Sequence, residues 1–196
     1  MDILKILREK KPRTIGVDGN SGAGKTTVAK GIADALGAQL IPCDFFHKWP
    51  RKDWHTLKDM EDFEDLEKLH SVISRLQAGE SFTMDGLYEF VNGTHTRTFR
   101  FEARPVLVIE GLCVSRLPLD FKIFLHVDPA VAHDRAKKRD TVERGLTEEN
   151  WAVKKRLFHH EYHKIVPELK AKSHLVIDTT NDVPFFKGPG ESSYAA

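Results

Sequence analysis

One run of residues, Gly19-Asn20-Ser21-Gly22-Ala23-Gly24-Lys25-Thr26, combines types and spacing suited to phosphate chemistry. It fits G-x-x-x-x-G-K-[ST], the P-loop pattern. Glycines let successive backbone N–H groups turn inward around a phosphate, where side chains would obstruct. The amides opening the next helix and the Lys25 ammonium add positive potential. The Thr26 hydroxyl is of a kind that ligates Mg²⁺. Thr27, at the start of the helix, would lie near the α-phosphate. The pattern points to a bound nucleoside triphosphate.

Two acids follow at the ends of apolar runs: Asp44 in Ile41-Pro42-Cys43-Asp44-Phe45-Phe46-His47, and Glu110 in Val106-Leu107-Val108-Ile109-Glu110-Gly111. Both fall at the carboxyl edge expected of a sheet, the edge that carries the P-loop and where open α/β folds place their sites. A carboxylate near a γ-phosphate can accept a proton from an acceptor hydroxyl, hold Mg²⁺, or both. The bland alternative is that Asp44 caps a turn. No second acid follows Glu110, as a water-activating hydrolase often has. Neither N-K-x-D nor L-S-G-G-Q is present, which counts against a guanine-nucleotide switch and a transporter ATPase. The basic run from Arg135 through Arg139 to Arg144 reads either as a solvated helix face or as a lid. Arginines closing over a transferred phosphoryl group stabilise its charge and exclude water. His159, His160 and His163 share a predicted helix without the carboxylates or cysteines of a zinc site, and read as a polar face. Trp49 and Trp54 read as packing residues that could also stack on a base.

These residues need a scaffold. Apolar runs at Thr14–Val17, Gln39–Pro42, Val106–Ile109, Lys122–Val127 and His174–Ile177 alternate with helical periodicity at Thr26–Leu36, Phe63–Leu76, Ala130–Arg139 and Glu148–Leu169. Nearly all-apolar strands predict a parallel sheet covered on both faces. Strand–helix alternation predicts βαβ units with right-handed crossovers. The expectation is an α/β chain with the three-layer α/β/α P-loop NTPase fold, a five-stranded parallel sheet and a small inserted β-hairpin. The hairpin falls at residues 81–100, built from short pieces turned at Asp85-Gly86 and Asn92-Gly93. One P-loop domain is expected over residues 1–182, with the lid at 135–147 and a flexible tail at 183–196. Ile3 to Arg8 reads as a short amphipathic helix ended by Pro12.

Composition narrows the partners. The 196 residues carry 30 basic and 29 acidic side chains, a net charge of +1. Duplex nucleic acid held by bulk electrostatics would need a basic excess. No apolar run is long enough to span a membrane, the start lacks a signal peptide's pattern, and the two cysteines read as reduced packing residues. A cytoplasmic protein without nucleic-acid or membrane partners is expected; homo-oligomerisation stays open.

From Thr14 to Asp178 the chain resembles the uridine kinase and nicotinamide riboside kinase group of P-loop kinases. The resemblance rests on the P-loop, Asp44-Phe45-Phe46, Glu110-Gly111, Arg139-Asp140 with Arg144-Gly145, and Tyr162 with Val166-Pro167, all in family order. It implies ATP and Mg²⁺ as cofactors and transfer of the γ-phosphate to a hydroxyl, the 5′-hydroxyl of a ribonucleoside first. It implies Asp44 as general base and Mg²⁺ contact, with Thr26 and Glu110 at the other Mg²⁺ positions and Lys25 on the phosphates. Arg139 and Arg144 match lid arginines that bind phosphates or the acceptor; Arg135 matches a neighbouring basic site more loosely. Leu146 stands where the family often has another Arg. Asp53 aligns with an acid that holds the sugar hydroxyls, with Asp59 competing or capping a helix. The family's Y-D-F-x-x-H-x-R appears as Tyr88-Glu89-Phe90-Val91-Asn92-Gly93-Thr94-His95-Thr96-Arg97, two residues longer. Tyr88 and His95 are therefore candidates for base recognition, or members of a structural hairpin. Nicotinamide riboside, pantothenate or a sugar phosphate remain alternative acceptors, and a nucleotide-dependent ATPase or switch a further one.

Overall fold

The strand Thr14–Gly19 is buried at every position, with β-branched Ile15 and Val17 packing one face. Gly16, between them, lies so close to Leu119 on the other face that a Cβ would meet its side chain at 2.7 Å. Such a strand cannot sit at an edge; it must be covered on both sides. The computed structural model describes residues 2–57, 63–156 and 162–181. In chain order the elements are α1 (Ile3–Lys10), β1 (Thr14–Gly19), α2 (Lys25–Leu36), β2 (Gln39–Pro42), α3 (Leu66–Gln77), β3 (Phe82–Glu89), β4 (Thr94–Phe101), β5 (Leu107–Glu110), β6 (Phe121–His126), α4 (Pro129–Val142), α5 (Glu148–Lys154), α6 (Tyr162–Ala171) and β7 (Leu175–Asp178).

The five-stranded sheet runs β2-β5-β1-β6-β7, all parallel, with β1 central. Alternate strand residues feed two cores. Ile15, Val17, Val108, Ile123 and Leu125 meet α1 and α2 on one face, through Ile3, Leu7, Val28 and Ile32. Leu107 and Ile109 meet α3 on the other, through Leu69, Val72, Ile73 and Leu76. This is the expected three-layer α/β/α arrangement, with every strand pointing its carboxyl end at one edge.

The helices begin where local chemistry starts them. Asp2 caps α1, accepting from Lys5 N at 3.0 Å, and Asp65 caps α3, accepting from Lys68 N at 2.9 Å. Asp128 and Pro129 open α4 in the same way. Thus α3 starts at Leu66 rather than Phe63, because the cap fixes its first turn. The expected helix Glu148–Leu169 includes residues 157–161, outside the described residues; α5 and α6 lie on either side of them. The tail 183–196, Asp59, His159 and His160 also fall outside.

The hairpin forms a separate two-stranded antiparallel sheet. Its expected turn at Asp85-Gly86 is instead a register shift within the continuous strand β3, with Gly86 at φ 69°. The positive φ that made Asp-Gly look like a turn serves an irregularity that bends the strand. The turn is made at 90–93 alone, where Gly93 N donates to Glu89 O at 2.8 Å. No helix among the described residues is long and apolar enough to cross a membrane.

Candidate active site

The P-loop passes from β1 into α2 with Gly22 and Gly24 at φ 87° and 85°. At Gly22 a Cβ would lie 2.3 Å from Ala132 O of α4, so the loop is packed directly under the helix that carries the basic run. Lys25 Nζ donates to Asn20 O at 3.0 Å, folding the ammonium back over the loop. Thr26 Oγ1 donates to Glu110 Oε1 at 3.2 Å, and Thr27 is exposed at the start of α2. Ahead of the loop, the buried Asp18 carboxylate accepts from Gly19 N, Cys113 N and Ser115 N. It ties the loop's first glycine to the chain following β5, a role the sequence reading missed. Burial raises its pKa, against the lowering by Ser115, Gly19 and Lys25.

Pairing of β2 with β5 sets Pro42 opposite Glu110, which brings Asp44 and Glu110 to one edge. Asp44 sits in the 3₁₀ turn Cys43–Phe46. Its carboxylate has His47 Nε2 at 3.8 Å and Arg144 Nη2 at 3.9 Å. Burial would raise the Asp44 pKa, but the His47 imidazole, Arg144 and Lys25 outweigh it and hold the carboxyl far below its ordinary value. Glu110 moves the other way: burial, then the Asp44 charge, push it up to about 7 against Lys25 and Thr26. Two carboxylates crowded at one edge thus carry opposed shifts, one favouring the charged form and one the neutral form.

The basic run folds over the P-loop. Arg139 Nη2 donates to Ser21 Oγ at 3.2 Å, and its Nε to Asp140 Oδ1 at 2.8 Å. Asp140, with no exposed surface, also holds Arg144 at 3.5 Å and makes a close ion pair with Lys154 of α5. One buried carboxylate therefore aims three cations at the same space. Arg144 lies over the Phe90 ring at 4.1 Å, and Lys154 at 5.2 Å. Burial lowers the Lys154 pKa to about 8, though Asp140 opposes the shift.

These groups line one cleft that opens to solvent. Ser21, Lys25, Thr26 and Arg139 line its donor side. Asp44, Glu110, Arg144 and Lys154 ring the middle, and His47, Glu64, Trp54, Phe63, Phe90 and Leu112 form the far wall. Among the acceptor-side expectations, the geometry departs from the sequence. Asp53 is half-buried in the 3₁₀ segment Arg51–Thr56 and does not line the cavity; Glu64, at the entry to α3, is the acid that does. Tyr88 and His95 also lie off its wall, one layer behind His47. Tyr88 stacks on the His47 ring at 4.7 Å, and His95 Nε2 pairs with His47 O at 2.7 Å. The two extra hairpin residues leave Tyr88 and His95 facing each other at 5.5 Å, but the fully buried Tyr88 supports the wall instead of forming it. Arg135 turns from the site altogether: it donates to Thr179 O at 2.8 Å and Thr180 O at 2.9 Å, bracing the chain after β7. Trp54 is buried on the wall, and Trp49 is half exposed.

His47 was the least visible member from sequence, although it stands in the quoted run three residues after Asp44. It is 5% exposed, edge-on to Phe63 at 4.3 Å, with Nε2 3.0 Å from Glu64 Oε1. Burial works to lower its pKa, but Glu64 and Asp44 reverse that and raise it to about 9. Glu64 is raised by burial, with His47 opposing.

Comparison with known proteins agrees with this arrangement. Residues 14–184 match the Phosphoribulokinase / Uridine kinase family. A uridine kinase of Geobacillus kaustophilus (strain HTA426) is 33% identical over 156 residues, covering 70% of this chain and 72% of that protein. One from Chloroflexus aurantiacus (strain ATCC 29366 / DSM 635 / J-10-fl) is 32% identical over 156 residues, 71% and 73% of the two chains. Two solved structures share the fold. One, from Silicibacter sp. TM1040, is given as a provisional fructose transport system kinase (TM-score 0.64, 19% identity, 90% of this chain and 99% of that one). The other is a possible uridine kinase from Bacillus stearothermophilus (TM-score 0.58, 18% identity, 89% and 97%). By these matches, with the P-loop, the two edge acids, Arg139 and Arg144 lining one cleft, the chain belongs to the phosphoribulokinase/uridine kinase family and is a phosphotransferase acting on a hydroxyl group.

Proposed function

We propose that this protein transfers the γ-phosphate of ATP to the 5′-hydroxyl of a ribonucleoside of the uridine or cytidine kind. The observation that carries the reading is the Asp44 carboxylate, held ionised in the same cavity as Lys25 and Thr26, with a ring-lined wall opposite. ATP would lie with its phosphates on Gly19–Thr26, and the acceptor would enter against Trp54, Phe63 and Phe90. Asp44 takes the proton from the acceptor hydroxyl, whose oxygen attacks the γ-phosphorus in line as ADP departs. Lys25, Arg139 and Arg144 hold the charge on the transferring oxygens. Glu64 and His47 are placed to bind other acceptor hydroxyls.

Thr26, Glu110 and Asp44 fit Mg²⁺, being oxygen donors at one edge, with buried Glu110 hydrogen-bonded to the Thr26 hydroxyl. When bound, Mg²⁺ would neutralise phosphate charge. A screen of ATP consumption with uridine, cytidine, nicotinamide riboside and pantothenate tests the reading. A sharp response to uridine or cytidine is expected. Consumption equal with and without every acceptor overturns it, and preference for one of the others reassigns the acceptor.

A further inference from the structure

Glu64 makes an unusual wall for a cavity. Its side chain is 7% exposed and lines the space; its nearest partners are the His47 imidazole, with Nε2 3.0 Å from Oε1, and the Cys43 thiol, while His47 Nδ1 has no hydrogen-bond partner among the described residues. A buried carboxylate with so few donors gains from a cation that binds where the imidazole proton stands. Its neighbour His47 supplies nitrogen, and Asp44 supplies another oxygen. Asp44, His47 and Glu64 each offer a ligand atom within 4.8 Å of the others. His47 Nε2 stands 3.0 Å from Glu64 Oε1 and 3.8 Å from Asp44 Oδ1. Tetrahedral Zn²⁺ with bonds near 2.0–2.2 Å separates its ligand atoms by about 3.4 Å, between those two distances. The set also has a gradient of rigidity. His47 is fixed by the Tyr88 stack and the Phe63 edge contact, while Asp44 is 39% exposed and free to adjust.

We propose that Asp44, His47 and Glu64 form a site for a divalent transition ion, Zn²⁺ by its ligands, which shares Asp44 with the set Thr26, Glu110 and Asp44 that fits Mg²⁺ and adds His47 and Glu64 on the other side. Two carboxylates and an imidazole suit Zn²⁺, while Mg²⁺ prefers an all-oxygen, octahedral shell. The fourth position would open into the cavity. An ion there engages the Asp44 lone pairs that would accept the hydroxyl proton, and occupies the polar part of the acceptor wall. The site is thus inhibitory, and zinc competes with the acceptor rather than with ATP; this competition rests on the acceptor reading above, whereas binding itself does not.

The test starts with the intact, untagged, nucleotide-free protein and ZnCl₂. Calorimetry should show one tight site per chain, and crystals soaked in Zn²⁺ should give an anomalous peak among Asp44, His47 and Glu64. His47→Asn and Glu64→Gln should each weaken that site by at least about tenfold. Zinc found only on surface histidines or on Cys43 and Cys113, or bound equally well by both variants, overturns the site. Because the wild-type peak needs no variant, a misfolded mutant cannot obscure the answer. In kinase assays at saturating Mg²⁺, zinc should raise the apparent KM for the acceptor and leave that for ATP unchanged. Inhibition that is unchanged in both His47→Asn and Glu64→Gln overturns the inhibitory assignment, since it would place zinc at Thr26–Glu110. An intact anomalous site in a protein that phosphorylates no nucleoside would sink the acceptor reading alone.

Discussion

Asp44 and Glu64 are both carboxylates on the cleft, but their surroundings differ: burial raises the Glu64 pKa, while charged neighbours lower that of Asp44. Asp44 is held ionised beside His47, Arg144 and Lys25. Asp44→Asn should lower kcat by about 10²–10⁴ while calorimetry still detects ATP binding; near-normal turnover would remove Asp44 as the base. Glu64 lines the wall on which the acceptor is proposed to bind, where a charged hydrogen bond contributes about 1.5–3 kcal/mol. Glu64→Gln should therefore raise the acceptor KM by about tenfold or more and leave the ATP KM alone; parallel changes in both would argue against an acceptor contact. Lys154 gives a pH signature. Its pKa near 8 in the fold lies below the ordinary 10.5 because of burial. Between those values the unfolded chain binds more protons at this residue, so its contribution to stability rises with pH by up to about 1.4 kcal/mol per unit. Denaturant titrations from pH 7.5 to 10 should show that rise, relative to Lys154→Met, in the wild type. Equal slopes in the two proteins would mean Lys154 keeps its ordinary affinity.

At the scale of elements, the P-loop and the basic helix act as one unit because Gly22 lies against α4. Gly22→Ala introduces both a Cβ at 2.3 Å from Ala132 O and an L side chain at φ 87°. A loss of about 1–3 kcal/mol in stability is expected, with weaker ATP binding, from thermal melts and nucleotide titration. The hairpin is fastened to the cavity wall by Arg51, whose N donates to Gly93 O at 2.8 Å and whose guanidinium pairs with Phe90 O. That attachment explains why Phe90, not Tyr88, reaches the cavity. From sequence, Asp85-Gly86 looks like a turn because a dipeptide reports only the need for positive φ, not whether pairing resumes beyond it.

Over the whole molecule, the parallel sheet separates stability from chemistry. The P-loop, Asp44 and Glu110 gather at the carboxyl edge, while α1 packs Ile3 and Leu7 into the core on one face. Leu7→Ala should cost about 2–5 kcal/mol by chemical denaturation yet leave the KM for ATP unchanged where the protein stays folded. A large KM change would mean α1 shapes the site. The sequence by itself determined the sheet, the P-loop, both edge acids and the arginines of the lid. Each is written locally: apolar strand runs set the layers, a fixed glycine spacing shapes the loop, and an acid just past a strand falls at the carboxyl edge. Only the tertiary structure decided that Glu64 and not Asp53 lines the cleft, that Arg135 braces residues after β7, and that Tyr88 and His95 stand behind His47. Those outcomes depend on side-chain direction between elements distant in sequence. His95 meets His47 across 48 residues, and Arg139 meets Ser21 across 118. No local pattern encodes which way such side chains turn; packing of the hairpin and lid against the finished sheet does.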